Sequence, residues 1–182
     1  MRELGLLALR AATGGLLAGH GAQKLFGAFE GPGLTGTAGF MEMLGLKPGR
    51  VWGTTAAVAE FGGGTLTALG LLNPLGPLGI MSAMAMASAT AHWGKPIWAA
   101  KGGAELAVTN FAAALAVATV GPGAYSLDHA LGIKLPPAVV AIAALSTGGM
   151  LAYGIAMVRR AAPPPPPGPA AETTLQSGES AR

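Results

Sequence analysis

The chain has 182 residues, of which 51% are hydrophobic and only 10% are charged. Soluble domains carry about 25% charged residues, so this composition excludes an ordinary soluble domain and favours an integral membrane protein. The 11 basic residues exceed the 8 acidic ones by three, which gives a net charge of +3, and their scatter through loops and ends disfavours a nucleic-acid partner. Without cysteine, the chain has no disulfide, thiolate nucleophile or cysteine-based metal site.

The first apolar run, residues 4 to about 25, predicts a retained transmembrane helix. Arg10 interrupts the run, which argues against a cleaved signal peptide, because the apolar region of such a peptide is normally unbroken. On a helical wheel Arg10, His20 and Lys24 fall within about 80°. One face of this helix is therefore basic, and Arg10 either snorkels to the nearer interface or has a buried partner.

Residues 31–49 are too few and too polar to span a membrane. They predict a short helix that ends before Pro48 and lies along the membrane surface or dips into it. The apolar residues that can share one side of this helix are Leu34, Phe40, Met41 and Leu44. The alternative is an ordinary connecting loop.

The second apolar run, residues 51–72, contains an acidic side chain, Glu60. Its 22 residues form about 33 Å of helix, enough to cross a hydrocarbon core of about 30 Å. Glu60 then lies near mid-membrane, where an acid costs roughly 2.5–3.5 kcal/mol. We therefore expect Glu60 to face protein or water, to have a partner and to mark a functional site.

Three further apolar runs predict three more spans, at residues 78–93, 103–120 and 137–158. The first of these carries several methionines, which are more typical of adaptable packing than of a metal site. It closes with His92, and the next run begins near Glu105. The last run stops at a pair of arginines, after which residues 161–182 predict an extended, disordered proline-rich tail.

The polar residues of the predicted spans converge on one half of the bundle. If the helices alternate in direction, the first runs from a face X to a face Y, and Glu60 lies about 13 Å below face Y. The residues predicted to carry proton chemistry are Glu60, His20 and His92. The residues predicted to bind a cofactor are Gln23, Lys24 and Glu105. Imidazoles titrate near neutral pH, so this set can relay protons or bind the two carbonyls of a quinone head group.

Other interpretations of this cluster remain open. The groups can simply form hydrogen bonds with one another between helices, each of which often contributes below 1 kcal/mol of stability. A metal site is disfavoured because two histidines and two glutamates on separate helices have no diagnostic spacing. Transport of a small solute is disfavoured because the polar groups trace no complete pathway across the membrane.

Successive motifs of the chain resemble those of the DoxX family. They are HGAQKLFG at residues 20–27, GPGLTGTAGFMEMLGLKPG at 31–49, AEFGGGTLTALGLLNPLGPLG from 59, AHWG at 91–94, KGGAEL from 101 and GPGAYSLDHALG from 121. The resemblance covers roughly residues 4–133, and His20, Gln23, Lys24, Glu60, His92 and Glu105 occupy the polar motif positions of the family. Leu106 stands where the family often has tyrosine, which weakens any argument for a phenolic group in the site.

The resemblance implies a bundle of four transmembrane helices in a bacterial-type inner membrane. It also implies a link to membrane oxidoreductases, either as a quinone-reducing subunit of thiosulfate oxidation or as an anchor that joins thiol and superoxide defence enzymes. We therefore expect a membrane subunit of an oxidoreductase system that uses a quinone. The alternative is a non-catalytic scaffold that docks soluble redox enzymes, and a homo-oligomer fits either function.

The expected fold is all-α: a DoxX-like four-helix membrane domain at residues 1–133, an additional transmembrane helix at 134–160 and the tail. The positive-inside rule predicts the orientation in the cell membrane. Seven basic residues lie at face Y or at the C-terminal end of the last apolar run, and three lie at or near face X. This count places face Y in the cytoplasm and the N-terminus outside, opposite to the arrangement expected from four-helix relatives.

Overall fold

A computed structural model describes residues 1–161, and every regular element in this part of the chain is helical. The seven α-helices are α1 (Arg2–Phe26), α2 (Gly33–Met43), α3 (Gly49–Leu69), α4 (Leu75–Ala89), α5 (Glu105–Val120), α6 (Leu127–Leu131) and α7 (Pro137–Ala161). Two short 3₁₀ turns, Ala28–Glu30 and Ala99–Lys101, lie between them. The all-α prediction is confirmed, whereas the predicted tail beyond residue 161 lies outside the described residues.

Four helices form the centre of the fold. Helix α1 packs on α3, α3 on α4 and α4 on α5, and a smaller contact between α1 and α5 closes the group. Helix α2 packs outside α3 and α1, and α7 packs outside α4. The order of contacts along α1 and α3, with Gly14 beside Ala68 and Gly21 beside Phe61, shows that the two helices are antiparallel.

The three consecutive glycines of α3 set the spacing of the neighbouring helices. A side chain at Gly64 would collide with the backbone of Ala18 on α1, and one at Gly63 would collide with the carbonyl of Gly76 on α4. Gly62 faces open space, and a Cβ atom added there would meet no heavy atom within 4 Å. Two of the three glycines thus allow the close backbone approach that small residues provide in apolar bundles.

Helix α7 is the one helix within residues 1–161 that is both long and apolar enough to cross a membrane. Its most apolar window has a mean hydropathy of 1.8, and only 6% of that window is buried. Helices α4 and α5 are apolar but have 15 and 16 residues. Helices α1 and α3 are longer, with 25 and 21 residues, but do not reach the same hydropathy.

The third apolar run differs from its prediction at its C-terminal end. Helix α4 ends at Ala89, because Thr90 leaves the helical conformation with φ −122° and ψ −75°. The chain then turns through Gly94, whose φ of 75° lies in the left-handed region. His92 consequently lies in the connection between α4 and α5, whereas the hydrophobic pattern predicted it in the last turn of a helix.

Candidate functional site

An ion pair joins two of the predicted site residues across the interface of α1 and α3. The ammonium of Lys24 contacts the Glu60 carboxylate at Oε2. The Lys24 side chain is 27% exposed and that of Glu60 is 8% exposed. Among residues 1–161 this is the one ion pair between acidic and basic side chains. The acid predicted to need a partner is therefore turned into the bundle and has one.

The packing of three helices positions the pair. Gly21 lies against the backbone of Phe61, which brings the last turns of α1 alongside Glu60. Beside the pair, the rings of Phe26 and Phe61 meet edge to face, with centroids 5.4 Å apart. The hydroxyl of Thr37, on α2, is 3.4 Å from the carbonyl oxygen of Lys24. The pair thus lies between α1 and α3, and α2 contacts the backbone of Lys24 beside it.

His20 and Gln23 form a second small group on the exposed side of α1. The Nδ1 atom of His20 is 3.1 Å from Oε1 of Gln23, and the imidazole is exposed. Within residues 1–161 neither side chain forms a hydrogen bond with Glu60. The two residues lie on the same helix as Lys24, but they contact each other and not the ion pair.

His92 and Glu105 bind the backbone of the connection between α4 and α5. Nδ1 of His92 is 2.7 Å from the carbonyl oxygen of Gly102. Oε2 of Glu105 accepts a hydrogen bond of 2.8 Å from the amide of Ala99. In the described part of the chain no hydrogen bond or ion pair links them to Glu60. These two residues organise one segment at face Y.

A second buried charge lies towards face X. Arg10 is 1% exposed, and its Nη2 donates a hydrogen bond of 2.5 Å to the carbonyl oxygen of Tyr125. Its Nη1 lies so close to Gly70 that a side chain there would collide with the guanidinium. The sequence predicts that Arg10 either snorkels to the interface or has a buried partner. The structure shows the second arrangement, with the carbonyl oxygen of Tyr125 as the partner.

Asp128 completes this second group, and the sequence did not single it out. Its two carboxylate oxygens accept hydrogen bonds of 2.8 Å from the amides of Leu72 and Asn73. Leu72 has a φ of 53°, a strained conformation for a non-glycine residue that these contacts help to hold. The sequence feature that could have indicated an ordered segment here is Ser126, two residues earlier. Its hydroxyl caps α6 by accepting a hydrogen bond from the amide of His129.

The geometry of the ion pair defines what it can do chemically. An ammonium has three N–H donors, and Glu60 uses one of them, so the partly exposed Lys24 keeps donors for an acceptor such as a carbonyl oxygen. An ionised carboxylate has several acceptor positions, so Glu60 also keeps acceptors beyond its contact with Lys24. Within residues 1–161 no three histidine, aspartate or glutamate side chains converge in a way that could hold a metal ion.

The described helices form an all-α bundle in which glycines allow close packing, and one helix is long and apolar enough to cross a membrane. The model of the DoxX family matches residues 5–93, which contain α1 to α4. This part of the chain is a DoxX domain, and the predicted family is confirmed. No curated protein and no solved structure matched the chain. Of the six predicted site residues, all but Glu105 lie within the matched part.

Proposed function

We propose that the protein is a multi-pass subunit of an oxidoreductase system in the cell membrane, with α1, α3, α4, α5 and α7 as its spans. The DoxX domain supports a membrane location, and α7 meets the length and hydropathy of a span by itself. The antiparallel contacts of α1 with α3 and of α3 with α4 support alternating directions through the bilayer. Helix α7 then adds a fifth span to a four-helix domain.

The observation that carries the proposed activity is the ion pair between the buried Glu60 and the partly exposed Lys24. The ammonium of Lys24 would donate a hydrogen bond to one carbonyl of a quinone head group, and Glu60 would hold or accept a proton at its carboxylate. When bound, the quinone supplies the redox chemistry, which the cysteine-free chain has no side chain to provide. Apolar surroundings strengthen both interactions, because the local dielectric constant is low.

The other predicted site residues have supporting roles in this proposal. His20 and Gln23 lie on the exposed side of α1 within one turn of Lys24, where the imidazole would pass protons between water and the site. His92 and Glu105 bind the backbone between α4 and α5. They would hold that segment in place at face Y.

Binding of a quinone analogue to the purified protein tests this function. Glu60→Gln removes the charge and the proton site while keeping the size of the side chain, and we expect at least a tenfold loss of affinity. Glu42→Gln is the matched control, because it makes the same change on α2, where Glu42 is exposed. Equal affinities of the Glu60→Gln variant and the unmodified protein would refute a quinone site at the ion pair.

A scaffold function is the second candidate, and the segment between α4 and α5 favours it. This segment exposes Trp93, Ile97 and Trp98, at 70%, 48% and 60%. Arg159 of α7 lies over the ring of Trp93 at 5.6 Å, which ties the segment to the fifth span. A soluble redox enzyme that still co-purifies after replacement of Glu60, His20 and His92 would support docking without catalysis.

A further inference from the structure

An apolar cavity of about 90 Å³ lies beside α3, and neither Lys24 nor Glu60 lines it. Helices α2, α3, α4 and α7 all contribute to its wall. Its principal lining residues are Trp52, Met41, Leu46, Met86, Met150 and Leu151. Methionine side chains are flexible and adapt to apolar ligands of irregular shape. The proposed redox function makes no use of this cavity.

The cavity continues into a groove along the outer surface of α3. Thr55 and Ala59 line both the cavity and the groove, which also includes the exposed residues Val51 and Val58. The hydroxyl of Thr55 donates to the carbonyl oxygen of residue 51 within the same helix. The threonine therefore has its hydrogen bond satisfied, and the groove offers an almost entirely apolar path.

The guanidinium of Arg50 lies at the face Y end of this groove. Arg50, in the first turn of α3, lines the groove and also a small depression formed with Leu34, Thr35 and Ala38 of α2. The side chain is exposed and forms no ion pair within residues 1–161. From face Y inwards, the surface thus passes from a guanidinium without an ion-pair partner to an apolar groove and then to the apolar cavity.

We propose that this groove and cavity bind one anionic phospholipid, with its phosphate at Arg50 and one acyl chain extending into the cavity. A guanidinium matches the charge and geometry of a phosphate, and the apolar lining matches a hydrocarbon chain. A neutral amphiphile such as a quinone with an isoprenoid tail would fill the apolar part but leave Arg50 without a counter-charge. Helix α7, which lies beyond the matched DoxX region, supplies the outer wall through Met150 and Leu151.

Trp52 is a built-in reporter for this lipid, because it lines the cavity and is only 5% exposed. Replacing the two exposed tryptophans by phenylalanine leaves Trp52 as the single tryptophan. In phosphatidylcholine nanodiscs, phosphatidylglycerol with brominated acyl chains should quench Trp52 at a concentration at least tenfold lower than brominated phosphatidylcholine. Equal quenching by the two lipids would overturn the proposal.

Two variants separate the head-group contact from the tail contact. Arg50→Gln should abolish the preference for phosphatidylglycerol, whereas Lys101→Gln, an exposed cation between α4 and α5, should leave it intact. Ala56→Leu adds bulk to the cavity wall and should reduce quenching by both lipids. Ala87→Leu makes the same change from α4 if the first variant fails to fold.

Competition with an unbrominated long-tail quinone completes the test. If the quinone relieves quenching and the preference for phosphatidylglycerol is absent, the occupant is an apolar tail and the proposal is wrong. If phosphatidylglycerol relieves quenching at lower concentrations than the quinone, the proposal is supported. Because neither Lys24 nor Glu60 lines the cavity or the groove, Glu60→Gln should not change either result, and this proposal can fail independently of the redox function.

Discussion

Lys24 on α1 and Glu60 on α3 form an ion pair that crosses a helix interface in an apolar bundle. Each charge compensates the cost of removing the other from water, so the two side chains form an energetic unit. The pair can form because the close contact of Gly21 with Phe61 sets the rotation of α1 against α3. The proposed proton chemistry depends on this contact, and part of the stability of the bundle does as well.

Removing one member of the pair should therefore cost more than removing both. Glu60→Gln or Lys24→Met leaves a buried or half-buried group without its partner, and we expect each to lower the free energy of unfolding by about 3 kcal/mol. The double variant Lys24→Met with Glu60→Leu should recover most of this loss. Unfolding in detergent, analysed as a double-mutant cycle, measures the coupling, and strictly additive losses would contradict it.

The glycine triplet of α3 offers a matched pair of substitutions. Gly64→Ala places a methyl group against the backbone of Ala18, and such overpacking typically costs about 1–3 kcal/mol. Gly62→Ala has open space and should be neutral or slightly stabilising, because alanine loses less conformational freedom than glycine when a helix forms. Unfolding midpoints of the two variants in the same detergent give the comparison. Equal midpoints would show that the close approach of α1 and α3 does not depend on Gly64.

The helices were predictable because apolar runs must satisfy their own backbone hydrogen bonds, and the observed bounds of α1 and α3 lie within a few residues of the predicted runs. The partner of Glu60 was not predictable in the same way. The sequence predicts three candidate partners near the same face, namely Lys24, His20 and His92. Their predicted depth in the membrane does not determine which of them contacts Glu60. The choice follows from contacts such as Gly21 against Phe61, which set helix rotation and spacing.

The burial of Arg10 could not be derived from side-chain patterns, because its partner is a backbone carbonyl. Tyr125 lies 115 positions further along the chain, and any residue there would present the same carbonyl oxygen. The role of Asp128 was hidden for the same reason, since it binds the amides of Leu72 and Asn73. Hydrogen bonds between a side chain and distant backbone atoms are hard to predict from a single sequence, because the backbone partner can belong to any residue type.

Asp128 should be a strong determinant of stability. Asp128→Ala leaves two amides of the turn between α3 and α4 without an acceptor, and each such loss costs about 1–3 kcal/mol. Asp128→Asn keeps one acceptor oxygen and should cost less. His129→Ala, at an exposed neighbour, is the control and should have little effect. Thermal unfolding measures the relative stability of the three variants. An Asp128→Ala protein as stable as the His129→Ala control would show that Asp128 does not stabilise this turn.

The proposed spans and their orientation can be tested together, because the chain contains no cysteine and single cysteines can be introduced cleanly. His129→Cys at face X and Ile97→Cys at face Y are both exposed positions outside the helices proposed to span the bilayer. The excess of basic residues at face Y predicts that Ile97→Cys faces the cytoplasm. A membrane-impermeant maleimide should then label His129→Cys on intact cells, and Ile97→Cys only after permeabilisation. Labelling of both positions from one side would refute the alternating spans, whereas the reverse pattern would refute only the orientation.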